Sequence, residues 1–196
     1  MKNDKGNSTK RLVLCAVLTA IVAVLQFMGA FIKFGPFSIS LVLVPIVVGA
    51  AICGTGAGAW LGLAFGITVL LSGDATLFMG VSIPGTIATV LLKGMLCGLA
   101  AGLVYKALVN KNMYIAVIAA ALVCPIVNTG VFLLGCKVFF MDTVREWAAQ
   151  AGFGDNAGGY MIMSLVGLNF IAETVINIVL SPIITRLIKM KSNFSY

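Results

Sequence analysis

The chain has 196 residues, 61% of them hydrophobic and 10% charged, with a mean hydropathy of +1.11. Soluble domains do not carry that composition, so the length is expected to be consumed by about six spans of ~20 residues, leaving no room for an ATPase or a catalytic head. The 13 Lys+Arg outnumber the 6 Asp+Glu and sit at the ends of apolar runs, which membrane topology explains and nucleic-acid binding does not; with no His, histidine metal sites and histidine acid–base chemistry are excluded.

The basic segment Met1–Arg11 leads into an apolar run over 12–32. That run is too long for a signal-peptide core and lacks a small-x-small cleavage site, so it is expected to stay as the first helix. Ala16 and Ala20 form a small-xxx-small pair near its start. Two readings stand: internal packing, or a docking face for another membrane protein. Further spans are expected over 37–53, 57–71, 85–105, 113–136 and 160–188, separated by Gly-, Pro- and Lys-containing breaks. Between the last two, residues 137–159 form the longest polar stretch. Within it, Asp142–Gly152 reads as a short amphipathic helix with an Asp or Thr cap and a Gly stop, either an interfacial anchor or a lid over an outward-facing pocket.

Placing the N-terminus inside puts Lys2, Lys5, Lys10, Arg11, Lys106, Lys111, Arg186, Lys189 and Lys191 on the cytoplasmic side and only Lys33, Lys137 and Arg145 outside. The expected architecture is an all-α membrane domain, one compact bundle of six transmembrane helices with both termini cytoplasmic. Glycines at four-residue spacing, Gly54-58-62-66 and Gly94-98-102, give two smooth helix faces that read as intramolecular contacts. The cysteines Cys15, Cys53, Cys97, Cys124 and Cys136 lie in or beside apolar segments without a CxxC spacing and read as small packing residues, not metal ligands.

Polar residues inside spans are costly and therefore informative. Asn169, Glu173 and Asn177 recur at i, i+4 and i+8 and stack on one helix face. Counting inward from the outer span ends, Lys93 is nine residues from Pro84, Asn128 eight from Cys136 and Asn169 nine from Tyr160. At 1.5 Å per residue these three helices offer polar groups at one level, ~12–14 Å deep, with Glu173 a turn deeper. A ligand pocket and a structural Lys93–Glu173 ion pair both account for the pattern. Phe65, Phe78, Phe132 and Trp60 are candidates for its aromatic surface. No nucleophile motif, phosphate loop or paired-carboxylate site is present, so no enzyme activity and no cofactor are expected.

Three elements together resemble a known family: Ala16-xxx-Ala20, the run Phe34-Gly-Pro-Phe-Ser-Ile-Ser-Leu-Val-Leu-Val-Pro45 leading into Gly49-Ala-Ala-Ile-Cys-Gly54, and Lys93-Gly94 followed by Gly98 and Gly102. Along essentially its full length the chain resembles the substrate-binding S components of energy-coupling factor (ECF) transporters, prokaryotic vitamin importers. The resemblance implies a multi-pass plasma-membrane subunit that captures a vitamin-like ligand outside and topples to release it. It also implies as partners a transmembrane coupling subunit, docked on the Ala16/Ala20 face, and two ATPases. Its binding site would lie in the outer halves of the later spans, where Lys93, Asn128, Asn169 and Glu173 converge. The vitamin is left open; a Lys93 not neutralised by Glu173 favours an anionic ligand such as pantothenate. The competing class is a stand-alone proton-coupled carrier with Glu173 as its proton site.

Overall fold

The computed structural model describes residues 2–29, 33–34, 37–38 and 41–193, with side chains described over 9–29 and 41–189. The side chains of Lys2, Lys5, Lys33 and Lys191, four members of the orientation count, lie outside that range. In chain order the elements are α1 (Lys2–Gly29), β1 (Lys33–Phe34), β2 (Phe37–Ser38), α2 (Leu43–Cys53), α3 (Thr55–Ser72), α4 (Thr76–Met79), α5 (Ile83–Leu108), α6 (Met113–Phe139), α7 (Met141–Gln150), α8 (Ala157–Tyr160), a π-helix (Met161–Gly167) and α9 (Leu168–Asn193). Apart from the antiparallel two-residue strands, the described chain is helical, and five of its helices are long and apolar enough to cross a membrane.

The segment expected to span over 37–53 departs from that expectation. It opens in β2, and its helix is α2, 11 residues or ~16 Å long. Apolar helices of that length are more often core helices than spans. Accordingly, α2 packs against α1, α3, α5, α6 and α9, and Leu43, Ile46 and Val47 are all but inaccessible. The period-2 alternation Phe37-Ser-Ile-Ser is the sequence signal for a strand entry instead of a span.

Helix limits follow local chemistry. Gly54 (φ +101°) turns the chain from α2 into α3, and Gly73 (φ +81°) stops α3 in the left-handed conformation that costs Gly least. The Ser82 side chain caps α5 by accepting from the Gly85 amide, with Pro84 in the first turn. The Asn112 side chain caps α6 by accepting from the amides of Tyr114 and Ile115. The expected Asp or Thr cap on the short outer helix is absent: α7 starts at Met141 after Phe140, with no side-chain cap, and Asp142 falls in its first turn. Gly152 (φ +83°) follows its C-terminal end.

The glycine faces meet each other. A Cβ on Gly62 would overlap the Gly94 carbonyl oxygen, one on Gly98 the Gly58 carbonyl oxygen, and one on Gly66 would lie 2.8 Å from the Val90 carbonyl oxygen. The α3 and α5 backbones therefore touch, which brings Phe65 of α3 and Lys93 of α5 to adjoining walls of one cavity. Gly54 stands apart from this face, with open space around it.

Two apolar clusters flank that cavity. The larger joins α1, α2, α3, α5, α6 and α9 through residues such as Val22, Ile46, Leu61, Val117 and Ile184. The smaller joins α4, the end of α6, α7 and the π-helix through Phe78, Phe132, Phe140, Val144, Ala148 and Leu165. Val144 and Ala148 are fully buried, so α7 is pressed against the bundle by its apolar face.

Candidate functional site

Lys93, Asn128, Asn169 and Glu173 all line one cavity. They reach it from α5, α6 and α9. A smaller adjoining pocket opens between α6 and the π-helix and shares Lys93, Asn128 and Asn169, with Thr129 on its wall. The convergence follows from constant helical rise: residues at matched distances from helix ends share a level once the helices pack side by side.

The stripe on α9 divides at that level. Glu173 is 2% and Asn177 1% exposed, so both point into the bundle. Asn169 Nδ2 lies 3.4 Å from Glu173 Oε1, and both residues line the cavity. Below them, Asn177 donates to the Glu173 carbonyl, Ser181 to that of Ile178 and Thr185 to that of Ser181. The lower part of the stripe thus bonds back to its own helix.

Lys93 is framed by aromatic faces. Its Nζ lies 5.4 Å from the Phe132 ring centroid and 5.6 Å from that of Phe65, within cation–π range. Phe78 is the hub of the aromatic wall, meeting Phe132, Phe140 and Trp147 at 5.4, 5.1 and 5.6 Å in edge-to-face contacts. Trp147 belongs to α7, so that short helix is tied to the cavity wall. Trp60 does not join this surface; it is 53% exposed, and its indole N–H donates to Thr19.

Four further polar residues on the wall, Gln26, Asp74, Thr86 and Thr89, escaped the sequence reading. Gln26 is 2% exposed, and its Nε2 donates to Asp74 Oδ2 at 2.5 Å, with Ser72 Oγ at 3.4 Å. Its signal was a lone amide within the apolar run 12–32. Asp74 lies in the polar break between α3 and α4, and the bond from Gln26 draws it inward. Thr89 Oγ1, Asn128 Oδ1 and Asn169 Oδ1 are buried oxygens without a hydrogen-bond partner in this structure, the condition of groups awaiting a ligand or ordered water.

The paired alanines lie elsewhere. Ala16 and Ala20 are exposed, on a face of α1 with Val17 and Ile21, while Leu18 and Val22 turn inward. Internal packing therefore does not account for Ala16 and Ala20. None of the cysteines is in a disulfide; Cys97, Cys124 and Cys136 are buried, and Cys15 and Cys53 are partly buried.

The family model of the ECF transporter substrate-specific component matches residues 10–185. The chain belongs to this family. As an S component it is a substrate-binding subunit of a membrane transporter and not an enzyme. Among solved structures it is similar to ThiT from Listeria monocytogenes at 22% identity and a TM-score of 0.61, with 96% of this chain and 98% of that chain covered. That likeness gives the S component the same fold as ThiT. No curated protein sequence matches it.

Proposed function

We propose that this S component captures a vitamin or similar small nutrient with high affinity at the outer face of a prokaryotic plasma membrane. It then hands the ligand to a module of one transmembrane coupling subunit and two ATPases. The observation that carries this reading is the cavity itself: Lys93, Asn128, Asn169 and Glu173 from three helices share one wall beneath a helix, α7, whose Trp147 touches the aromatic surface. An amide, carboxylate and ammonium set in a mostly apolar cavity orients a small polar ligand while the rings cover its flat faces.

In this reading both termini are cytoplasmic, as the Lys/Arg asymmetry supports, and the sixth crossing is completed by the short α2 together with the chain leading into it, shielded from lipid by α1, α3, α5, α6 and α9. A version lacking the native cysteines tests it. Asp155→Cys, exposed between α7 and α8, should react with an impermeant thiol reagent in intact cells. Asn110→Cys, exposed between α5 and α6, should react only after permeabilisation. The reverse pattern would put the cavity on the cytoplasmic side.

The coupling subunit docks on the Ala16/Ala20 face of α1, where small side chains let a partner helix approach. Native mass spectrometry of the purified chain should show a retained small molecule, and Ala16→Trp or Ala20→Trp should retain it equally well. The same substitutions should abolish uptake in cells supplying the module. Loss of retention in the Trp variants would assign the face to the protein's own fold, and uptake by the purified chain alone would support a stand-alone carrier.

A further inference from the structure

The charge of the cavity wall points to the class of ligand. Its charged residues are the Lys93 ammonium and the carboxylates of Asp74 and Glu173, an excess of one negative charge. Glu173 and Asp74 share the cavity wall with Lys93, and the rings of Phe65 and Phe132 flank its ammonium. Lys93 is therefore already embedded in negative charge and ring faces. An anionic ligand would add a second negative partner for Lys93 while facing both carboxylates in a site shielded from water, where like charges repel strongly.

Hydrogen bonding points the same way. Thr89 Oγ1, Asn128 Oδ1 and Asn169 Oδ1 are buried oxygens without partners, and Asn128 as a whole is only 6% exposed. The two amide oxygens call for donors, and the Thr89 hydroxyl can accept or donate. The apolar part of the wall combines Val69, Ala75 and Val90 with four rings, Phe65, Phe78, Phe132 and Phe140, the second and fourth in edge-to-face contact at 5.1 Å; ring surface of this kind suits a flat and especially a positively charged ring.

We infer that the ligand is a small, flat heteroaromatic molecule rich in N–H or O–H donors and of neutral or positive net charge, not an anion. This rests on the capture reading above and reverses the anionic preference drawn from Lys93 alone, because Asp74 joins the wall. Anionic nutrients such as pantothenate are poor occupants of it.

A matched series tests the inference on the purified full chain in nanodiscs. Pyridoxamine, pyridoxine and 4-pyridoxate share one ring and differ in a single substituent that is cationic, neutral or anionic. Calorimetric titration should place pyridoxamine first and 4-pyridoxate last, at least tenfold apart. Asp74→Asn keeps an acceptor for Gln26 and removes one negative charge; it should compress that spread severalfold, and an unchanged spread would overturn the assignment of the charge preference to Asp74. A flat series, tighter binding of 4-pyridoxate, or binding of pantothenate with all three pyridines excluded would overturn the ligand class and leave capture standing. Failure of all four probes, together with no small molecule retained from cells, would overturn capture at this cavity and the ligand class with it.

Discussion

Gly62→Ala should strongly destabilise the bundle of this chain. The substituted Cβ would overlap the Gly94 carbonyl oxygen and crowd the Met95 backbone. Neither obstacle is a flexible side chain, so relief requires α3 and α5 to separate along their whole crossing, where Gly58/Gly98 and Gly66/Val90 contacts would open as well. Overpacking in a well-packed core costs ~1–3 kcal/mol and occasionally more, and a backbone-on-backbone clash belongs at the upper end. We expect a fall in the melting temperature in detergent of at least ~10 °C, on the scale of ~2–4 °C per kcal/mol for chains of this size, with loss of a monodisperse peak in size-exclusion chromatography. Gly130→Ala is the control: open space surrounds that position on α6, and alanine raises helix propensity by ~1 kcal/mol. Equal behaviour of the two variants would show that the glycine faces do not set the packing.

That crossing also explains what was legible in the sequence. Four-residue glycine spacing has one efficient use in lipid, the contact of two smooth faces, and α3 and α5 make it. The polar level was legible because helical rise is constant, so counting from span ends was enough to bring Lys93, Asn128 and Asn169 to one cavity. Counting failed where depth was not the controlling variable. Asp74 sits outside any span and enters the wall through its bond from Gln26, a tertiary contact with no local signature. The 37–53 run is apolar enough for a span, but hydropathy does not separate lipid from protein interior, and α2 is buried by its neighbours. The π-helix Met161–Gly167, immediately before Asn169, has no composition that would announce it. Exposure of Ala16 and Ala20, likewise, depends on which way α1 rolls, which only the packed Leu18 and Val22 decide.

Asn128→Ala and Asn169→Ala should separate binding from stability in opposite directions. In the free protein each side chain holds a buried oxygen without a partner. A buried polar atom left unsatisfied costs ~1–3 kcal/mol, so Asn128→Ala should raise the ligand-free melting temperature, and Asn169→Ala, which also loses the Nδ2 contact to Glu173 Oε1 at 3.4 Å, should leave it about unchanged. In the complex the same oxygen gains a donor from the ligand, and deleting it should lose ~1–3 kcal/mol, or about 5- to 150-fold in affinity at ~1.4 kcal/mol per decade. A residue that only orders the bundle shows the contrary: a lowered melting temperature and little change in affinity beyond the folded fraction. Ser181→Ala provides the internal comparison, since that hydroxyl donates to the Ile178 carbonyl of its own helix at 2.7 Å and lies off the cavity wall; its affinity should match the parent. Glu173→Gln completes the set. Its affinity should change while uptake by the assembled transporter keeps the parent's pH profile, because a binding carboxylate carries no proton across the membrane. Loss of a pH-driven component of uptake in Glu173→Gln would assign that residue to proton transport, and parental affinity in both asparagine variants would move the binding site away from this wall.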